Sequence, residues 1–163
     1  MNPSPSGTVA RKSRVFIVDD HPLVREGLTN LINGQKDLIV CGEAKDSAHA
    51  INGIVKAGPD VALIDISLEN ESGLELVKQL RSQFPQVALI ILSMHDEGLY
   101  AERALRAGAR GYVMKHETSK SVCLPLSGGC SEAAFMSAKG LSTEWHEDLP
   151  RHANRSPVRP SNV

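Results

Sequence analysis

Five polar side chains stand at or just after short apolar runs of the sequence, and their types could act together on a phosphoryl group. They are the carboxylates of Asp19, Asp20 and Asp65, the hydroxyl of Ser93 and the amine of Lys115. Three carboxylates gathered in one place repel one another, so each needs a raised pKa or a nearby cation. Mg²⁺ would remove this conflict, because it prefers oxygen ligands and commonly binds one or two carboxylates together with a phosphate oxygen.

In such a cluster Asp19 and Asp20 would bind the metal, and Asp65 would be the nucleophile that forms an acyl phosphate. The transfer needs mainly alignment and charge neutralisation, which the metal and the Lys115 ammonium would provide. Ser93 would donate a hydrogen bond to a phosphoryl oxygen. Each residue also has a plainer interpretation, because an Asp at a strand end often caps the next helix and a Lys there is usually only solvated.

The elements that would position these residues are five short apolar runs separated by amphipathic stretches. The runs are Val15 to Val18, Leu38 to Cys41, Val61 to Ile66, Val87 to Leu92 and Tyr112 to Met114. They are rich in β-branched residues and lack polar alternation, which is typical of strands covered on both faces. Alternation of such strands with helices predicts an α/β fold built on a parallel sheet.

Helical spacing of apolar residues between the runs predicts the helices. The predicted buried stripes are Val24, Leu28, Leu31 and Ile32, then Ala48, Ile51 and Val55, then Val77, Leu80 and Phe84, and finally Ala101, Ala104 and Leu105. Gly108 is the expected stop of the fourth helix. In folds of this kind ligands bind outside the carboxyl ends of the strands, which is where the polar side chains stand. Strand two ends in Gly42 and Glu43 without such a cluster, which favours an edge position away from the site.

Composition limits the partners and the compartment. The chain of 163 residues has a formal net charge of −1, so its total charge gives no reason to expect nucleic acid or an anionic membrane. The first 14 residues lack the apolar stretch of a signal peptide, and the run from Val87 to Leu92 is far shorter than the ~20 residues that span a bilayer. We therefore expect a cytoplasmic protein without a membrane partner. Its three cysteines lack paired spacing and are expected to be ordinary reduced thiols.

The ordered set of motifs resembles the receiver domains of two-component response regulators, specifically the NarL/FixJ class. The resemblance runs from about Arg14 to Glu117. It rests on the segments at 18 to 28, 92 to 97 and 107 to 115, VDDHPLVREGL, LSMHDE and AGARGYVMK, and on Asp65 near the end of an apolar strand. It implies a flavodoxin-like (βα)5 fold, a doubly wound parallel sheet with strand order 2-1-3-4-5.

The resemblance also implies the site and its partners. Asp65 would be phosphorylated by a sensor histidine kinase, with Asp19, Asp20, Asp65 and the backbone carbonyl of Ser67 binding Mg²⁺. Ser93 and Lys115 would contact the phosphoryl group, and Tyr112 would be the aromatic that turns inward when Ser93 moves. A plain surface aromatic is the alternative for Tyr112. His116 departs from the class, which often has an acidic residue at that position.

The C-terminal part does not follow the class. Pro125 falls inside the expected fifth helix, where a proline costs roughly 3 kcal/mol or more, so we expect that helix to be truncated or disrupted. No pair of amphipathic helices can be drawn beyond it, hence no helix-turn-helix and no specific DNA binding is predicted. The expected organisation is a disordered segment at 1–13, a receiver domain at 14–122 and a disordered or aberrant, frame-shifted tail at 123–163. Val113, Leu124 and Leu126 would then be exposed and favour self-association, such as a homodimer.

Two other functions were weighed against a phosphorylated switch. A DNA-binding transcription regulator would need its output domain in an unrecognised C-terminal region. A phosphatase with an aspartyl nucleophile would need a second acid two residues after it, and that position holds Ser67. The sequence therefore favours a switch over an enzyme that turns over.

Overall fold

The computed structural model describes residues 11–94 and 98–115 and the short strand Phe135–Met136. The elements in chain order are β1 (Ser13–Val18), α1 (Pro22–Asn33), β2 (Leu38–Ala44), α2 (Ser47–Ala57), β3 (Val61–Asp65), β4 (Ser67–Leu68), β5 (Glu71–Ser72), α3 (Gly73–Gln83), β6 (Ala88–Ser93), α4 (Gly98–Ala107), β7 (Gly111–Met114) and β8 (Phe135–Met136). The five predicted strands are present, and the predicted helices between them are also present.

The sheet is parallel throughout and has the order β2-β1-β3-β6-β7-β8. Its first five strands correspond to the predicted order 2-1-3-4-5, so the flavodoxin-like fold is confirmed. Two features were not predicted. The antiparallel pair β4 and β5 forms a small hairpin after Asp65, and β8 adds a sixth strand beside β7.

Successive residues of each strand point to opposite faces of the sheet, and helices cover both faces. One core cluster joins β1 residues Phe16 and Val18 to the buried sides of α2, α3 and α4, while the other joins Val15 and Ile17 to α1. Because both faces are covered, the strands carry apolar residues without alternation.

The second strand continues past its predicted end at Cys41. Val15 pairs with Val40 but Phe16 pairs with Gly42, so Cys41 forms a bulge, and the strand runs on to Ala44. Gly42 is needed there because a Cβ on it would lie 2.6 Å from the Phe16 ring, and a Cβ on Gly53 of α2 would lie 2.5 Å from the same ring. The glycine that we interpreted as a strand end thus makes room for a core aromatic. This extension carries Glu43 to the end of the sheet that holds Asp19.

The buried side of α2 also differs from the prediction. Ala50 and Ile54 are buried, whereas Val55 is 65% exposed. Gly53, next to Ile54, lies so close to the Phe16 ring that a Cβ on it would overlap the ring, and this side of the helix faces the sheet. The end of α4 is as predicted, since the helix stops at Ala107 and Gly108 has a φ of +104°, a value that favours glycine.

The described residues include only a small part of the two ends of the chain, so most predictions for the ends stay predictions. β1 begins at Ser13, one residue before the predicted start of the domain. Val113 is only 1% exposed, so the expectation that it would be exposed is wrong. The rest of the N-terminal segment, the fifth helix, Leu124, Leu126 and all of the tail except Phe135–Met136 lie outside the described residues. Within the described part, no helix is long and apolar enough to cross a membrane.

Candidate functional site

The acidic pair follows β1 at the carboxyl end of the sheet. Asp19 is completely buried, and its main-chain N–H donates to the Ala44 carbonyl of β2 at 3.1 Å. Its Oδ1 accepts the main-chain N–H of His21 at 2.9 Å. Because β1 ends at Val18 and α1 begins at Pro22, Asp19, Asp20 and His21 form a short connection at the carboxyl end of the strand.

Asp65 is the last residue of the central strand β3 and pairs with Leu92 of β6. Its carboxylate is buried, and Oδ1 accepts the main-chain N–H of Ser67 at 3.2 Å. Gly73, the first residue of α3, packs directly on the main chain here, since a Cβ on it would clash with the Asp65 carbonyl oxygen. The close approach of α3 therefore fixes the backbone that carries this carboxylate.

Lys115 joins the two strand ends. Its ammonium Nζ lies 2.7 Å from Asp19 Oδ2 and 2.8 Å from Asp65 Oδ2, and its side chain is only 10% exposed. The contact between the Lys115 ammonium and Asp19 Oδ2 is an ion pair, but among the described residues it does not have the geometry of a regular hydrogen bond. One cation thus offsets part of the repulsion between two buried carboxylates, so the plainer interpretation of Lys115 as a solvated side chain is wrong.

The protonation equilibria follow from this arrangement. Burial raises the pKa of Asp65 above its ordinary value, and the hydrogen bonds from Lys115 and Ser67 offset only part of the effect. Burial alone would lower the pKa of Lys115, but the close Asp19 and Asp65 carboxylates outweigh that cost and raise the pKa. The site therefore holds Lys115 as a cation while making ionisation of Asp65 less favourable than in water, so additional positive charge would stabilise the Asp65 carboxylate.

Asp20 and His21 complete the cluster on its open side. His21 Nδ1 lies 2.8 Å from Asp20 Oδ1 and 3.2 Å from Asp19 Oδ1, although the ring is 64% exposed. Among the described residues, Asp20 Oδ1 finds no hydrogen-bond donor of regular geometry despite being buried. A buried carboxylate oxygen without such a donor is a group that a metal ion could satisfy.

The residues fit a divalent cation. Ligand atoms of Asp19, Asp20, His21 and Asp65 all lie within 4.8 Å of one another. Carboxylate oxygens suit Mg²⁺, whose trans ligands are roughly 4 Å apart at bond lengths of about 2.1 Å. The cluster is compatible with Mg²⁺ on Asp19, Asp20 and Asp65, as predicted.

The remaining predicted residues lie around this cluster. Ser93 ends β6 and is buried, and its register partner Met114 immediately precedes Lys115. Tyr112 is buried on the face that carries α2, α3 and α4, so the alternative of a surface aromatic is wrong. Ser67 is exposed in β4, two residues beyond Asp65. The structure therefore gathers Asp19, Asp20, Asp65 and Lys115 and places Ser93 on the strand between the last two.

Sequence reasoning missed three residues that shape the site. His21 directly follows the acidic pair, and its type was signal enough to include it. Gly73 gave no signal, because its role depends on how α3 packs against β3. Arg25, on the first turn of α1, donates from Nη1 to the Asp19 carbonyl oxygen at 2.7 Å. A cation near the N-terminus of a helix is unfavourable for the helix dipole, and this could have marked it.

With this fold and site in view, the family assignment follows. The family model described as "Response regulator receiver domain" matches residues 15–124. The chain belongs to this family, and its relatives place it in the NarL/FixJ class. The receiver domain of the putative response regulator NarL from Mycobacterium tuberculosis has 34% sequence identity and a TM-score of 0.65, and the match covers 72% of this chain and 98% of that chain.

Two curated relatives extend the comparison. An uncharacterised transcriptional regulatory protein, YxjL of Bacillus subtilis, is 41% identical over 104 residues, which cover 64% of this chain and 48% of that protein. The oxygen regulatory protein NreC of Staphylococcus haemolyticus is 34% identical over 146 residues, 89% of this chain and 67% of that protein. This chain thus spans about half of the first relative. The alignment with NreC is longer than residues 15–124 and must include part of the C-terminal segment.

Proposed function

We propose that this chain is the phosphorylated switch of a two-component system. Asp65 accepts a phosphoryl group from a phosphohistidine of a sensor histidine kinase in a Mg²⁺-dependent reaction. A carboxylate oxygen attacks phosphorus, and the bond from phosphorus to the donor nitrogen breaks with its electrons returning to the imidazole. The observation that carries this proposal is the buried Asp65 carboxylate. It shares the Lys115 ammonium with the carboxylate of Asp19, and Asp20 lies next to Asp19.

The metal site is part of the same proposal. Asp19, Asp20, Asp65 and the backbone carbonyl of Ser67 hold Mg²⁺, which when bound supplies positive charge to the carboxylates and to the phosphoryl oxygens. The buried Asp20 Oδ1 and the raised pKa of Asp65 support it, because both indicate an unmet need for positive charge. His21 releases Asp20 Oδ1 when the site fills.

Lys115 and Ser93 recognise the transferred group. The Lys115 ammonium holds charge at the position next to Asp65 where the phosphoryl oxygens develop negative charge, and the Ser93 hydroxyl donates to one of these oxygens. Tyr112 shares β7 with the segment that leads to Lys115, and it repositions when Ser93 moves. Because Tyr112 is buried in the core cluster that includes α4, its change on phosphorylation is a shift within that cluster.

The proposed organisation is a receiver domain at 14–122 between segments 1–13 and 123–163, acting in the cytoplasm. The residue two positions after Asp65 is Ser67, and lack of a second acid there supports a switch that retains its phosphoryl group over an enzyme that turns over. A sensor histidine kinase is the proposed partner.

Intact mass after treatment with acetyl phosphate and Mg²⁺ tests the assignment of Asp65. The wild-type chain should gain one phosphate, and Asp65→Asn should gain none. Asp37→Asn is a matched control on an exposed loop acid and should be labelled like the wild type. Equal labelling of Asp65→Asn and the wild type would reject Asp65 as the acceptor.

A DNA-binding regulator is the second candidate, although no specific DNA binding is expected from this chain. It is favoured because YxjL is described as a transcriptional regulatory protein and because the alignment with NreC, an oxygen regulatory protein, includes part of the segment after residue 124. An electrophoretic mobility shift assay with promoter DNA, before and after phosphorylation, distinguishes a DNA-binding regulator from a stand-alone switch. Specific retardation supports the regulator, and only weak, salt-sensitive retardation supports a stand-alone switch.

A homodimer remains a proposal as well. Val113 is buried, so exposed apolar surface at that residue does not support self-association. Light scattering of the purified chain with and without acetyl phosphate measures the oligomeric state. A mass of one chain under both conditions would reject the homodimer.

A further inference from the structure

The main chain of Asp19 is held by a side chain that no sequence argument assigned to the site. Arg25 Nη1 donates to the Asp19 carbonyl oxygen at 2.7 Å, and Arg25 Nε lies 3.7 Å from Glu43 Oε2 on β2. The guanidinium is only 17% exposed. Arg25 therefore joins three elements, α1, the β1–α1 loop and β2, at the peptide that links Asp19 to Asp20.

The position of Arg25 is not explained by the stability of its own helix. It lies on the first turn of α1, which begins at Pro22, and a cation near a helix N-terminus opposes the helix dipole. The contact with a main-chain carbonyl is charge-assisted and geometrically specific. Its target is the peptide group immediately before Asp20, the acid whose Oδ1 lacks a regular donor among the described residues.

The other polar groups of Asp19 are also held. Its N–H donates to the Ala44 carbonyl oxygen, Oδ1 accepts from the His21 N–H, and Oδ2 faces Lys115. Asp20 is held less firmly. The contact made by its carboxylate is with the His21 ring, which is itself largely exposed and so is a weak restraint. The direction of the Asp20 side chain consequently depends on the peptide plane that Arg25 fixes.

We propose that Arg25 is a positioning residue for the divalent-cation site, with Glu43 orienting its guanidinium. This proposal rests on the proposed Mg²⁺ site. Groups that orient metal ligands typically contribute 10- to 100-fold to metal affinity. Electrostatics alone predicts the opposite sign, since removal of a nearby positive charge should strengthen the binding of a cation.

The test is isothermal titration calorimetry of the full chain with Mg²⁺. In Arg25→Met, which keeps the apolar stem, the Kd should rise by about 10- to 100-fold. In Arg25→Lys the Kd should lie between those of the wild type and Arg25→Met, because an ammonium donates to the carbonyl but does not present the planar fork. Arg14→Met is the control, since Arg14 makes the same kind of contact with the Ala57 carbonyl oxygen at 2.7 Å, at the other end of β1.

A second readout separates positioning from a general loss of structure. Acetyl phosphate labelling as a function of Mg²⁺ should give a raised half-saturation in Arg25→Met and an unchanged rate at saturating Mg²⁺. A Kd equal to or below that of the wild type in Arg25→Met overturns the inference alone. If that variant does not fold, a wild-type Kd in Arg25→Lys does the same. Absence of Mg²⁺ binding by the wild type overturns the proposed metal site and this inference together.

Discussion

Lys115 reaches Asp65 across an intervening strand, with its Nζ 2.8 Å from Asp65 Oδ2. Asp65 ends β3 and Lys115 follows β7, while β6 lies between these two strands in the sheet. Ser93 ends that middle strand. A cation that spans two strand intervals in this way responds to any charge added at Asp65, and the proposed phosphoryl group would be added beside it.

Removing the shared cation should destabilise the metal-free protein strongly. Lys115→Met leaves the buried Asp19 and Asp65 carboxylates without their common partner, and breaking such a pair costs roughly 3–5 kcal/mol. The measurement is the free energy of urea unfolding in the presence of EDTA. Lys78→Met is the control, because Lys78 forms a 2.7 Å ion pair with Glu75 on an exposed helix face and should change stability by less than about 1 kcal/mol. Equal losses in both variants would contradict a special role for Lys115.

Asp65→Asn should stabilise the metal-free protein at neutral pH, and this gain should fade in acid. Because burial raises the pKa of Asp65 above 3.8, the folded state binds this proton more tightly than the unfolded chain does. The stability that Asp65 contributes is thus full below about pH 3.8 and is lost as the pH rises through the raised pKa. The measurement is the free energy of urea unfolding of the wild type and Asp65→Asn, from below pH 3.8 to neutral pH, and the quantity compared is the difference between the two proteins. A difference that grows on acidification would have the wrong sign.

Asp20→Asn should abolish stabilisation by Mg²⁺ while leaving the metal-free fold intact, because the substitution also removes repulsion within the cluster. Wild-type protein should gain about 2.7 kcal/mol at a hundredfold excess of Mg²⁺ over its Kd. Thermal melting with and without Mg²⁺ checks both parts, with Asp37→Asn as the control that keeps the wild-type response. A large drop in the melting temperature of Asp20→Asn in EDTA would mean that the carboxylate has a structural role.

Gly73→Ala should destabilise the chain and disturb Asp65, because the added Cβ would clash with the Asp65 carbonyl oxygen. Forcing an extra methyl group into such a contact costs typically 1–3 kcal/mol. Gly27→Ala is the matched control, since a Cβ on Gly27 in α1 meets nothing within 4 Å and should stabilise the helix by about 0.5–1 kcal/mol. Urea unfolding compares the two, and similar effects of both substitutions would argue against close packing at Gly73.

The sheet and the location of the site could be predicted because they depend on local patterns. Continuous apolar runs such as Val87 to Leu92 identify buried strands, and parallel strands bring their carboxyl ends to one edge. The contacts within the site could not be predicted in the same way. The spacing of Lys115 from the acids does not reveal that it bridges Asp19 and Asp65, since that depends on the lateral order of the strands and on burial.

The errors also have physical causes. A glycine often marks the end of a strand. Gly42 instead makes room for the Phe16 ring inside β2, so the prediction for β2 is too short. By spacing alone, Val55 fits a buried helical stripe as well as Ile54 does. The packing of α2 on the sheet determines that Ile54 is the buried residue and Val55 the exposed one. The two-residue strands of the β4–β5 hairpin are too short to give a periodic signal.

The contact of Phe16 with Gly42 and Gly53 limits the order in which these positions can change during evolution. A side chain at either glycine would overlap the ring, so neither glycine can mutate first without a cost, whereas a smaller residue at position 16 makes both substitutions tolerable. The three positions should therefore covary among homologous sequences, with larger residues at 42 or 53 appearing only on lineages in which position 16 has already become small. Reconstructed ancestral sequences of the family should show this order of substitutions. The effect of a change at position 42 in β2 or 53 in α2 would depend on the residue at position 16 in β1.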